Sequence, residues 1–147
     1  MNRIEQAQSL FSDGFLCSQS ILITFAPLLG LEPRMAAKIG APFGGGIARR
    51  GDTCGAVNAA FMVLGLKYGH HSPDDLKSKE EAYRKVEEFI RAFQSRHGSI
   101  ICRELLGCDI SKPQGLQSAY DQQVFAIRCP RFVGAAAEIL DQIIDIE

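Results

Sequence analysis

The sequence predicts an all-α fold, a compact single-domain bundle of several helices packed around a central buried helix at about 54–68. Three observations carry that expectation. Apolar residues recur at helical spacing along nearly the whole chain, and no segment shows the alternation of a half-buried strand. The 147 residues, 46% hydrophobic and 22% charged, have the size and balance of one globular domain. No low-complexity tract, linker or internal repeat divides the chain, so residues 1–147 read as a single domain.

The elements follow in chain order. Helices are expected over 2–11 and 15–29, the second capped by Asp13, and over 33–40. Gly44, Gly45 and Gly46 then interrupt the pattern as a turn. The central helix at 54–68 can be capped by Asp52 or Thr53, and Ala56, Val57, Ala59, Ala60, Phe61, Met62, Val63 and Leu64 leave it apolar or small nearly all round. The next runs over 74–97, with Ser72 as cap, Pro73 in the first turn and Gly98 as stop. Its apolar stripe is Leu76, Tyr83, Val86, Phe89, Ile90 and Phe93, and its other face pairs Glu80 with Arg84, Glu81 with Lys85 and Glu87 with Arg91. A short helix at 100–106 stops at Gly107, and two more are expected over 117–127 and 130–146, the last opening at Pro130 with Cys129 as its cap.

Several function classes are excluded at this stage. A formal net charge of −1 and a pI near 6.3 provide no bulk attraction for nucleic acid or an anionic membrane. The longest apolar run, Ala59 to Leu66, is far short of the roughly 20 residues that cross a bilayer. The polar, amphipathic start MNRIEQAQSLFSDG lacks the pattern of a signal peptide, so a cytoplasmic setting is expected. In that reducing compartment five cysteines are poorly explained as disulfide staples.

Four of the five fall near expected helix N-termini, where free N–H groups and the positive end of the dipole favour a thiolate. Cys54 opens the central helix, with Arg49 and Arg50 nearby to add positive charge and Gly55 to admit another backbone or a ligand. Cys17 lies near the end of a first turn, Cys102 lies three residues after Ser99, and Cys129 precedes Pro130. Cys108, just after Gly107, stands apart as a bystander. The expectation is that the four sulfurs cluster and that Cys54 has the lowest pKa. No CxxC pair exists, so neither a thioredoxin-like dithiol nor a zinc ribbon is indicated. Ligands from distant segments could still converge on an iron–sulfur cluster or a metal ion.

From "GFLCSQSILITFAP" through "FGGGIARRGDTCGAVNAAFMVLGLKYG" to "CRELLG" and "CPRFVGAAAEIL", the chain resembles the C-GCAxxG-C-C family, small proteins with dispersed cysteines grouped as redox-active. The matching cysteines are Cys17, Cys54, Cys102 and Cys129. The CGAxxG motif reads here as Cys54, Gly55, Ala56, Val57, Asn58 and Ala59, with alanine in place of its last glycine. The resemblance implies redox activity or cluster binding. Similar sequences also occur joined to a multihaem, iron–sulfur cytochrome module.

The first functional reading is a cytoplasmic cysteine redox protein using thiol/disulfide exchange centred on Cys54, resolved by Cys17, Cys102 or Cys129, with a partner protein or a small thiol or disulfide as substrate. The alternative is an iron–sulfur cluster or metal ion ligated by Cys17, Cys54, Cys102 and Cys129. A third is a structural helical domain that self-associates into a homo-oligomer. The glycine triplet with Arg49 and Arg50 lacks the ending of a Walker loop, and His70 and His71 read as solvated loop residues.

Overall fold

The structure, a computed structural model, describes residues 1–146. Its helices are α1 (Arg3–Ser12), α2 (Cys17–Phe25), α3 (Pro33–Gly40), α4 (Gly55–Tyr68), α5 (Leu76–His97), α6 (Cys102–Leu106), α7 (Pro113–Asp121) and α8 (Val124–Ile143). Short 3-10 turns, Ala26–Leu29 and Ala41–Phe43, follow α2 and α3, each with a proline near its start. Among the described residues the only β-type pairing is an isolated bridge between Thr53 and Ile101. The protein is an all-α helical bundle, as expected.

The expected central helix is α4. Ala56, Val57, Ala59, Ala60, Val63 and Leu64 are fully buried along it, and their small volumes let α2, α5 and α8 approach closely. Ala59 is accommodated inside this core. Phe25 from α2, Phe89 and Phe93 from α5, and Ile139 and Leu140 from α8 fill the remaining space. The α5 stripe is narrower than its sequence suggests, since Leu76 is 63% and Tyr83 59% exposed. Among the described residues no helix is long and apolar enough to cross a membrane.

Several helix starts differ from the sequence reading, and α7 begins at Pro113, four residues before the expected 117. Asp13 closes α1 instead of opening α2, and after Gly14 (φ 109°) the cap is Leu16, whose N–H donates to the Gln19 side chain at 3.0 Å. Cys17 is therefore the first residue of α2. α5 starts at Leu76, because the Asp75 carboxylate accepts from Ser78 N–H at 3.0 Å and outcompetes Ser72 as the cap. The break expected at Cys129–Pro130 lies instead at Gln123, whose φ of 55° turns the chain between α7 and α8. Pro130 sits inside α8, so Cys129 is an interior helical residue and not a cap. The N–H that proline lacks would have met the carbonyl of Ala126, an exposed residue where solvent can replace the bond.

Candidate functional site

The bridge between Thr53 and Ile101 brings two helix starts together. Cys54 N–H donates to Ile100 O at 2.8 Å, Cys102 N–H to Asp52 O at 2.6 Å and Arg103 N–H to Gly51 O at 3.1 Å. These bonds fix Cys54, the N-cap of α4, beside Cys102, the first residue of α6. From the other side Cys17 arrives at the start of α2. It packs so closely that a Cβ at Gly55 would lie 2.7 Å from Cys17 Sγ and 2.6 Å from the Phe43 carbonyl oxygen. Gly55 thus has the close-approach role expected of it, and what approaches is the sulfur of Cys17.

The glycine cluster is more than a flexible turn. Gly45, Gly46, Ile47, Ala48 and Arg49 all have positive φ, at 67°, 65°, 69°, 49° and 67°, so the chain makes a left-handed turn of five residues. For a residue with a Cβ that conformation costs about 1–2 kcal/mol, and for a β-branched one such as Ile47 it is rare. Bonds from Ala48 N–H to Pro42 O (2.9 Å), Gly51 N–H to Gly45 O (3.1 Å) and Asp52 N–H to Gly46 O (2.9 Å) hold it. A Cβ at Gly46 would lie 2.6 Å from Cys102 Cβ, so only glycine allows the turn to lie against α6. The turn also aims the N–H of Gly45 at the sulfur of Cys17.

All five cysteines are free thiols, and Cys17 is the one whose pKa is lowered. Its pKa is lowered to about 7, chiefly because the Cys54 S–H donates to its sulfur; burial opposes this, and the N–H groups of Ser18, Gly45 and Ala56 add to it. Three chain segments therefore aim donors at one half-buried sulfur. Cys54 is pushed well above the usual thiol value, because its proton is held by Cys17 and because it is buried. The expectation that Cys54 has the lowest pKa is corrected: a cap residue has fewer free N–H groups over its side chain than a first-turn residue facing a second helix start, and Arg50 does not add its charge there. Arg50 binds Asp52 at 3.1 Å instead.

Burial pushes Cys102 up to about 12, helped by the nearby charge of Cys17. Burial also raises Cys129, which has no helix N-terminus to help it. Cys17, Cys54, Cys102 and Cys129 line one cavity of about 540 Å³, and Cys108 does not. The rest of its wall is largely apolar, with Phe15, Leu16, Leu105, Tyr120, Phe125 and Phe132. That aromatic wall escapes the sequence reading, since Tyr120 and Phe125 come from helices whose boundary was misplaced. Arg49 also reaches the cavity.

Among the described residues no group of three or more His, Cys, Asp or Glu side chains is disposed to hold a metal ion. Cys17, Cys54, Cys102 and Cys129 share one cavity wall without forming such a group. His70 and His71 are exposed, in the loop before α5. His97 is packed between Phe93 and Phe132, with ring centroids 5.1 and 5.0 Å away.

A family model described as "Putative redox-active protein (C_GCAxxG_C_C)" matches residues 15–143, a span that contains every cysteine of the site. No curated protein and no solved structure matches the chain.

Proposed function

Because the chain belongs to the C_GCAxxG_C_C family of redox-active proteins, we propose that it performs thiol/disulfide exchange with Cys17 and Cys54 as its working pair. The observation that carries this reading is geometric: Cys17 and Cys54 stand at two adjoining helix starts, the Cys17 sulfur packed against Gly55 next to Cys54, and both line one cavity large enough for a substrate. We assign the roles in the order the electrostatics favour. Cys17, near half-deprotonated at neutral pH, attacks; Cys54, buried and protonated, resolves.

In the forward direction the Cys17 thiolate attacks one sulfur of a substrate disulfide. A mixed disulfide forms, and the other substrate sulfur leaves as a thiolate. Cys17 no longer holds the proton of Cys54, which passes to the departing thiolate. The Cys54 thiolate then attacks Cys17 Sγ, closes the Cys17–Cys54 disulfide and releases the second substrate sulfur as a thiolate, which takes from water the proton that Cys17 gave up on ionising. Two protein thiols and one disulfide become one protein disulfide and two thiols, and the reverse sequence oxidises a substrate dithiol. A redox partner protein or a small thiol returns the pair to its starting state, and a reducing cytoplasm is the compartment that suits this cycle.

The test is peptide mapping of the protein equilibrated in a dithiothreitol redox buffer. A Cys17–Cys54 linked peptide is expected, and Cys54→Ser should accumulate a mixed disulfide at Cys17. A protein in which these two stay unlinked while other cysteines pair would sink the assignment.

A further inference from the structure

Beside the thiol cavity lies a second concavity, a cleft of about 730 Å³ lined by Arg49, Arg50, Arg103 and Lys112 with a single carboxylate, Asp52. Arg49 belongs to both walls, so the two spaces adjoin at its side chain. Asp52 is shared by Arg50 at 3.1 Å and Arg103 at 3.8 Å, whereas Arg49 and Lys112 form no ion pair among the described residues. Asp109 stands near Arg103 and Lys112, but its carboxylate is engaged by the N–H and hydroxyl of Ser111. In a chain of net charge −1 this surplus of cations is local. The strained turn is what puts it there, since the last left-handed residue of the run is Arg49 itself.

Resting on the dithiol reading above, we infer that the substrate is a small amphipathic disulfide, or the corresponding thiol, whose apolar part enters the cysteine cavity and whose anionic group rests on the Arg49–Lys112 cleft. The cavity has the volume of a small-molecule site, and its aromatic and leucine wall suits an aryl or alkyl group. Arg49, unpaired at its edge, with Lys112 farther along the cleft, supplies the polar anchor that fixes orientation, and a planar guanidinium suits a carboxylate, sulfonate or phosphate. An anion held there leaves its disulfide within the cavity that Cys17 lines.

Two aromatic disulfides of similar size test this: 5,5′-dithiobis(2-nitrobenzoate), which is anionic, and 4,4′-dithiodipyridine, which is neutral. The fast phase with the reduced full chain is assigned to Cys17 by its loss in Cys17→Ser, and each rate is divided by that of 2-mercaptoethanol to remove intrinsic reactivity. At low salt the anionic probe should be preferred by about tenfold, with the preference shrinking as salt screens it. Lys112→Gln, in the cleft and outside the cysteine cavity, should lose a large part of that preference while the neutral probe reacts within about twofold of the parent rate, which also shows an intact site. Equal loss with both probes, or no loss with either, overturns the anionic anchor while leaving the dithiol in place. Absence of a Cys17 phase with both probes overturns the dithiol reading itself, and this inference with it.

Discussion

The sulfur of Cys17 rests against the backbone of Gly55: a Cβ at that position would lie 2.7 Å from Cys17 Sγ and 2.6 Å from the carbonyl oxygen of Phe43. The second contact is with backbone, which cannot swing aside. Gly55→Ala should therefore destabilise the fold by about 1–3 kcal/mol, the usual cost of overpacking, despite alanine's better helix propensity. Because the displaced atom is also the proposed nucleophile, Cys17 alkylation should change as well. Thermal unfolding with peptide-resolved alkylation checks both, and a Gly55→Ala protein as stable as its parent with unaltered Cys17 would contradict this packing.

Cys54 lowers the pKa of Cys17 more than any other group does. Cys54→Ala removes the S–H donor and leaves burial as the dominant influence, so the midpoint of Cys17 alkylation against pH should rise from about 7 toward or beyond the ordinary thiol range. Cys54→Ser keeps a donor and should shift it less. An unchanged midpoint in Cys54→Ala would mean that the backbone N–H groups alone hold the thiolate.

The left-handed turn is expensive at its non-glycine residues. Ala48 has a φ of 49° and is exposed, so replacing it with glycine removes strain and loses no packing. Ala48→Gly should stabilise the protein by about 1 kcal/mol and raise Tm by about 2–4 °C. A lowered Tm would show that the rigidity of alanine in the unfolded chain outweighs the native strain.

His97 lies between the rings of Phe93 and Phe132, and burial lowers its pKa, with the positive charges of Arg96 and Arg131 acting the same way. The unfolded chain then binds a proton at higher pH than the folded one, so stability rises with pH across this window and is lost as pH falls through the unfolded histidine value of about 6.5. His97→Phe keeps the ring packing and should flatten that part of the curve. Denaturant midpoints between pH 7.5 and 5.5 decide the point; parallel curves for the two proteins would remove His97 as the cause.

Much of the site was legible in single residues. Cys54 beside a glycine at a helix start, Cys102 after the Gly98 break and Cys17 in a first turn are local patterns, and each lies at a helix N-terminus in the structure. At Cys129 the following proline signals a helix start, whereas the break falls at Gln122–Gln123, which carries neither glycine nor proline to mark it. The pKa order is hidden from the sequence for a different reason. Of the donors that lower Cys17 only Ser18 is its neighbour in sequence; Cys54, the largest, and Gly45 and Ala56 are distant from it.

The sequence by itself determined the helical class, the buried α4 and the four thiols of interest, because periodicity, small-residue content and capping chemistry act over a few residues at a time. Only the tertiary structure decided which sulfur is the acidic one, that Gly55 serves Cys17, and that a strained turn carries Arg49 to the junction of an apolar cavity and a basic cleft. Those outcomes depend on distances between segments far apart in the chain. Hydrogen bonding, desolvation and charge act through space, so their balance at Cys17 is set when α2, α4 and the turn meet.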